Sequence, residues 1–373
     1  VTPEDTPGLA TTGPVKVVGA GLLGASVGLA LSAAGVPVQL EDASPASLAL
    51  ARDMGAGTPA TLTDPEPVLV VVATPPDVTA DVVLAQLRRH PRAVVTDVAS
   101  VKRIVVDEVL AAGPDAARYV GSHPMAGRER SGASAADADL FVGRPWVVVE
   151  TPQSLPAAVL AVRALAVDLG ATPVRLGADE HDDAVALVSH LPQLAASLVA
   201  ARLVTAPDGA LALAGQGLRD VTRIAASDPR LWASILAGNA APVARALREV
   251  RGDVDALVAA LDRAAEDGPL TPGAMAALAD VVGAGNAGAA RIPGKHGGAP
   301  RRYGYVSVLV PDAPGELGRL FSEVGEAGVN IEDLQLEHSA GARAGLARLA
   351  VLPTAVGPLE KALDERGWRV VAE

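Results

Sequence analysis

Val15-Lys16-Val17-Val18-Gly19-Ala20-Gly21-Leu22-Leu23-Gly24 decides how this chain folds. Val15 to Val18 reads as a short buried strand, and the apolar run from about Ala25 to Ala34, ended by Gly35, as a helix. A second strand, Val36 to Leu40, leads into Glu41-Asp42, which places an acid about twenty residues beyond the glycines. The glycines alone are weak evidence; strand, GxGxxG, helix, strand and acid together are a dinucleotide-binding fingerprint. Gly19 permits the tight turn, Gly21 lets the backbone approach a pyrophosphate, and Gly24 lets the helix pack close to the strand. The helix N-terminus, at Leu22 and Leu23, faces the phosphates. Asp42 holds the ribose hydroxyls and repels a 2′-phosphate. Ala43 follows it where NADP binding calls for an arginine, so NAD is favoured.

Further strands follow. Val68 to Ala73 is stopped by Thr74-Pro75-Pro76, Ala93 to Thr96 leads into Asp97-Val98-Ala99-Ser100-Val101-Lys102, and Tyr119-Val120 leads into Gly121-Ser122-His123-Pro124-Met125-Ala126-Gly127. Trp146 to Val149 and Pro173 to Leu176 complete the sheet. Ligands of an open parallel sheet sit beyond the carboxyl ends of its strands, so Thr74, Ser100 and His123 are expected to gather near a nicotinamide. A lone histidine in a turn is usually held by its own loop. In this company His123 reads instead as the acceptor for a substrate hydroxyl while a hydride leaves the adjacent carbon.

The 373 residues suffice for two or three domains, and 50% hydrophobic content with a mean hydropathy of +0.31 indicates a compact protein. Aromatics make up only 2%, so Ala, Val and Leu must fill the core. A formal charge of −12 argues against nucleic acid or an anionic membrane as partner, and local arginines must draw in any anionic substrate. The lack of cysteine excludes disulfides, thiolate catalysis and Cys-ligated metal, and fits a reducing compartment. Val1 to Gly13 lacks the basic start and apolar core of a signal peptide. The apolar stretch Ala184 to Ala206 is interrupted by Ser189, His190, Pro192, Gln193 and Arg202, and reads as a helix in a core or dimer interface. A cytoplasmic protein is expected.

From Asp179 to about Val282 the pattern is helical, with breaks expected at Pro192, at Pro207-Asp208-Gly209 and at Asp228-Pro229. Gly283 to Arg302 has no hydrophobic period and reads as a flexible linker. The remainder alternates as βαββαβ: a strand Tyr305 to Val310, a turn Pro311 to Gly315, a helix from Glu316, a strand after Ile331, a strand Leu346 to Val351, a helix near Val356 to Arg366 and a strand Arg369 to Val371.

The segments GAGLLGAS, TDVASVK, GSHPMAGRERSG, VSHLPQ and GLRDVTRIAASDPRLW, in this order over roughly Val15 to Leu261, resemble the prephenate/arogenate dehydrogenases of tyrosine biosynthesis. The resemblance implies an α/β Rossmann-type NAD-binding domain over 14–177, followed by an all-α domain over 178–282 that builds a homodimer and lines the substrate site. It implies that His123 is the catalytic histidine, that Ser100 lies beside the substrate hydroxyl and the nicotinamide, and that Arg223 binds a substrate carboxylate. Ser189 and His190 line the site, and Glu129 stands near its entrance. Arg128 replaces an expected threonine and adds a cation beside the pocket. Residues 303–373, after the linker 283–302, resemble an ACT domain through DAPGELGRLF and GVNIEDL. That implies an α+β module binding an amino-acid effector, tyrosine above all, near Asp312, Ala313, Pro314, Gly315, Asn330 and Ile331.

Prephenate carries two carboxylates and a ring carbinol. Hydride transfer from the carbinol carbon to NAD⁺ and loss of CO₂ give 4-hydroxyphenylpyruvate, and aromatisation drives the reaction, so no metal is needed. Arogenate, with an amino acid in place of the keto side chain, is the alternative substrate and gives tyrosine directly. The β-hydroxyacid dehydrogenases share the plan but use a helical-domain lysine, and there is none between Lys102 and Lys295. A non-catalytic sensor of NAD and an amino acid would tolerate loss of His123.

Overall fold

The computed structural model describes residues 8–127, 132–268, 271–292, 303–337 and 344–371. The first part alternates strands and helices: β1 (Val15–Val18), α1 (Leu22–Ala33), β2 (Val38–Glu41), α2 (Pro45–Asp53), β3 (Thr58–Pro59), β4 (Leu69–Val72), α3 (Pro76–Arg89), β5 (Val94–Asp97), α4 (Arg103–Ala111), β6 (Tyr119–Pro124), β7 (Pro145–Val149), α5 (Pro156–Asp168) and β8 (Thr172–Arg175). Their sheet runs β3-β2-β1-β4-β5-β6-β7-β8, and its first six strands have the doubly wound dinucleotide-binding order. Pairing is parallel throughout except that β7 runs antiparallel to β6. β1 and β4 are buried along their whole length, which is why they read as unbroken valine-rich runs rather than alternating ones. Val17, Val71, Val120 and Val148 belong to one core cluster with Leu31, Phe141 and Trp146.

The glycine loop fits its strand and helix closely. Gly19 has φ +102°, and a Cβ there would overlap the Ala73 carbonyl. At Gly24 a Cβ would overlap the Gly19 carbonyl, whereas above Gly21 there is open space.

Helices follow: α6 (Ala178–Val185), a π turn at Ala186–His190, α7 (Leu191–Arg202), α8 (Asp208–Leu211), α9 (Gln216–Thr222), a 3-10 turn at Arg223–Ala225, α10 (Pro229–Gly238), α11 (Ala240–Asp267) and α12 (Ala274–Ala289). The break expected at Pro192 does not occur. The turn before it widens, with the Leu191 amide donating to Ala186 O, and so accommodates a ring that has no N–H. The helical run Ala178–Thr205 is long and apolar enough to cross a membrane by length and composition, yet its polar residues His181, Asp182, His190 and Gln193 are buried in the protein. At Asp228-Pro229 the break is real, with Asp228 Oδ1 accepting from Arg230 N at 2.8 Å to cap α10.

The first part of the segment expected to be a linker, 283–302, is helical instead. α12 continues through Ala289, because the alanines there favour helix and no proline intervenes before Pro293. Residues 293–302 lie outside those described. Beyond them β9 (Gly304–Pro311), α13 (Glu316–Glu326), β10 (Asp333–Glu337), β11 (Ala344–Val351), α14 (Val356–Glu365) and β12 (Arg369–Val371) form a βαββαβ unit with the antiparallel order β10-β11-β9-β12. Val306, Val308, Leu320, Leu349, Leu359 and Trp368 make its own core. The chain separates into two compact units, Val1–Ala206 with Asp220–Val250, and Pro207–Arg219 with Arg251–Glu373.

Overpacking a tight backbone contact costs about 1–3 kcal/mol. Gly24→Ala should therefore lower the melting temperature by several degrees, while Gly21→Ala leaves it unchanged. Calorimetry of both variants checks this, and equal melting temperatures would show that the loop relaxes around the methyl group.

Candidate active site

Strand register aligns Val72 of β4, Asp97 of β5 and Gly121 of β6. Thr74, Ser100 and His123 stand two, three and two residues past that line, so one end of the sheet carries all three. Thr74 Oγ1 is tied to Thr79 Oγ1 at 3.1 Å at the start of α3. Ser100 lies in the loop between β5 and α4. His123 falls within β6 rather than after it, and is buried. Nearer the front of the sheet, Asp42 accepts from Ala20 N and from Ser44 N, each at 2.6 Å. The acid that follows β2 thus sits directly against the glycine loop.

Beneath the Ser100 loop, Asp97 and Lys102 form a fully buried ion pair. Asp97 also accepts from Tyr119 Oη at 2.7 Å and from Ala99 N at 3.0 Å, which holds the backbone beside Ser100. Burial pushes the Tyr119 hydroxyl well above its ordinary pKa, and the Asp97 carboxylate pushes it further the same way. Burial also lowers the Lys102 ammonium, against the pull of Asp97.

His123 Nδ1 lies 2.9 Å from His181 Nε2, the rings meeting edge to face at 5.1 Å. His181 Nδ1 in turn lies 2.7 Å from Asp182 Oδ1. Asp182 accepts from the first amides of α4, Lys102 N at 2.8 Å and Arg103 N at 2.9 Å. Burial opposes ionisation of Asp182, but the bonds from His181, Arg103 and Lys102 outweigh it and hold the carboxyl below its usual range. Burial, with the neighbouring His181, Lys102 and His190, holds His123 well below the ordinary imidazole value. Burial lowers His181 as well, against the opposing pull of Asp182. A neutral imidazole that keeps its proton-accepting form at neutral pH is what a hydroxyl acceptor requires.

Neither His181 nor Asp182 stands out in the sequence. They lie in Asp179-Glu180-His181-Asp182-Asp183, a charged run that resembles a solvated helix start. Only the spacing was a clue: Asp182 and Asp183 differ in which helix face they occupy, and Asp183 is exposed and paired to Arg245.

On the π turn, His190 is buried, its ring edge-on to Trp232 at 6.0 Å, and Nδ1 lies 3.1 Å from Asn239 Nδ2. Asn239 Nδ2 also donates to Asp182 O at 2.7 Å. Burial pushes His190 down to about 4. Ser189 beside it is half-buried. Arg223 is exposed and opens the turn Arg223–Ala225, which packs against α7; just beyond, Ser227 Oγ donates to Gln193 Oε1 at 3.5 Å. His123 and His190 are thus joined through Asp182, and Arg223 stands where α7 meets solvent. Arg128 and Glu129 lie outside the described residues.

In the βαββαβ unit, around the turn Asp312–Gly315, Ala313 N donates to Pro311 O at 2.9 Å and Glu316 N to Ala313 O at 3.3 Å. Asn330 Nδ2 donates to Glu332 Oε1 at 2.9 Å, and Ile331 borders an open groove of about 560 Å³ with Tyr303, Glu332, Asp333 and Leu334.

Residues 27–174 match the family model for the prephenate dehydrogenase nucleotide-binding domain, and residues 177–271 that for its dimerization domain. The chain is 37% identical over 356 residues to the probable prephenate dehydrogenase NovF of Streptomyces niveus, covering 94% of this chain and 98% of that one. It is 34% identical over 184 residues to the prephenate dehydrogenase of Bacillus subtilis, 47% of this chain and 48% of the relative. The crystal structure of prephenate dehydrogenase from A. aeolicus, in complex with hydroxyphenyl propionate and NAD⁺, superposes with a TM-score of 0.62 at 26% identity, covering 72% of this chain and 95% of that one. With a sheet order, a buried histidine and a near full-length relative in agreement, this chain belongs to the prephenate dehydrogenase family.

Proposed function

We propose that the chain catalyses the NAD-dependent oxidative decarboxylation of prephenate to 4-hydroxyphenylpyruvate. The observation that carries this reading is His123: buried, kept neutral, and set at the end of the same sheet whose first loop bears the dinucleotide fingerprint. The loop residues fit NAD. Space is open above Gly21 for a pyrophosphate, α1 begins at Leu22-Leu23, and Asp42 stands beside the loop for the ribose. When bound, the nicotinamide supplies the hydride acceptor.

His123 accepts the proton of the ring hydroxyl as the carbinol becomes a carbonyl, and Ser100 orients that hydroxyl. Arg223 draws in a substrate carboxylate, with Ser189 and His190 lining the site and Arg128 and Glu129 at its entrance. Departure of the ring carboxylate as CO₂ leaves the electrons in the aromatic ring, so the enzyme has no strong carbanion to stabilise. The exposed apolar stripe Val250, Val254, Val258 and Leu261 on α11 supports a homodimer built by the helical region. The βαββαβ unit supports an ACT-like module for an amino-acid effector, tyrosine, near Asp312–Gly315 and Asn330-Ile331. We place the enzyme in the cytoplasm.

With purified protein, prephenate and NAD⁺ should yield NADH, CO₂ and 4-hydroxyphenylpyruvate in equal amounts. Faster turnover of arogenate to tyrosine would transfer the assignment to that substrate. His123→Asn should leave NAD affinity within about twofold and lower kcat by about 10²–10⁴; activity within a few-fold of the parent would favour a sensor or another base. Arg223→Ala should chiefly raise KM for prephenate, by about tenfold or more for a lost charge-assisted contact; an unchanged KM would remove it from the clamp. Tyrosine should inhibit the full chain and not a chain ending at Arg302. Inhibition persisting in the shortened chain would locate the effector at the active site.

A further inference from the structure

Two donors and acceptors around Asp182 have only one possible role each. An ionised carboxylate only accepts hydrogen bonds, so His181 Nδ1, 2.7 Å from Asp182 Oδ1, must carry the hydrogen. Burial keeps His181 neutral, which leaves its Nε2 without one. At 2.9 Å from that nitrogen, His123 Nδ1 must then be the donor. The second arm runs through the backbone. Asp182 O accepts, so the Asn239 atom facing it at 2.7 Å is the amide nitrogen, and that same nitrogen faces His190 Nδ1 at 3.1 Å. An amide nitrogen only donates, so His190 Nδ1 is an acceptor and the ring hydrogen is on Nε2.

We propose that Asp182 sets the two active-site histidines in opposite tautomers: through His181, so that His123 offers a bare Nε2, and through Asn239, so that His190 offers an Nε2–H. The first is the form that takes a proton from a hydroxyl; the second gives a neutral hydrogen bond to a substrate carbonyl or carboxylate oxygen. When His123 gains the hydroxyl proton on Nε2, its Nδ1–H stays bonded to His181, so the ring does not turn. The titratable groups acting on His123 are His181, Lys102 at the start of α4 and His190, while Asp182 and Asp97 act on His181 behind it. His181, Asp182 and Asn239 are positioning residues, and their roles rest on the assignment of His123 as the hydroxyl acceptor.

Long-range proton–nitrogen NMR of the full chain labelled with ¹⁵N-histidine reads the tautomers directly. His123→Asn and His190→Asn variants identify the two rings among the six histidines. The expected result is Nδ1–H at His123 and Nε2–H at His190; the reverse at either ring overturns the proposal. In kinetics, His181→Leu should lower kcat about 10²-fold or more, as wrong-tautomer variants do, with KM and NAD affinity within about threefold. His181→Gln, whose carbonyl still accepts from His123 while its amide still donates to Asp182, should recover to within about tenfold of the parent. Equal losses in both variants, or none in His181→Leu, overturn it. A parent chain inert toward prephenate would overturn the functional assignment alone, because the tautomers are read without substrate.

Discussion

One buried carboxylate joins the two halves of the site. Asp182 comes from α6 and is received by the first two amides of α4, the end of a helix where exposed N–H groups and the helix dipole favour a negative charge. Taking a carboxylate out of water is costly unless hydrogen bonds replace its hydration. Here two amides and an imidazole do so, and its backbone carbonyl is taken by Asn239. The helix that carries His181 and His190 is thereby fixed to the sheet that carries His123, and the geometry of the chemistry follows from that attachment.

A second buried pair, Asp97 with Lys102, works on the same segment from the other side. Such pairs add little net stability, because desolvation offsets most of their attraction. Their effect here is positional and electrostatic. Asp97 secures the backbone at Ala99, next to Ser100, and the ammonium of Lys102 contributes to keeping His123 unprotonated. A base weakened in this way accepts a proton less readily. With His123 as the hydroxyl acceptor proposed above, the compromise would be tolerable because aromatisation of the ring supplies the driving force, and a base would be needed for placement more than for strength.

What was legible in the chain was what is encoded locally. The glycine loop, its strand and helix, and Asp42 lie within one short stretch, and each has a shape requirement that only certain residues meet. His123 was legible because strand ends are where ligands meet an open sheet. The βαββαβ alternation at the end of the chain was equally plain, since its strands alternate around their own core. His181 and Asp182 were hidden because burial is a tertiary fact: in sequence they are part of an acidic run, and only packing against α4 singles out one acid from its neighbours. Pro192 misled for a related reason. A proline usually ends a helix, but a π turn one step earlier removes the conflict, and that turn is where His190 sits. The helix found where a linker was expected, through Ala289, has a simpler origin, alanine propensity outweighing the interspersed glycines.

A chain of net charge −12 that acts on a dianion must separate attraction from chemistry. At physiological salt, charges further apart than about 8–10 Å are largely screened, so the global field matters less than the groups at the site. Arg223, proposed above to draw in a substrate carboxylate, is exposed on the turn that packs against α7. Deeper in, both histidines are neutral, and the buried cation beside them, Lys102, already has its counter-ion. On the proposed roles, a substrate carboxylate would meet its cation at the rim, while the reacting carbinol would meet only neutral rings. Had His190 been charged instead, it would have drawn a carboxylate inward and competed with Arg223 for it. On the proposed roles, a neutral interior would orient the substrate, with its side-chain end outward and its ring hydroxyl toward His123.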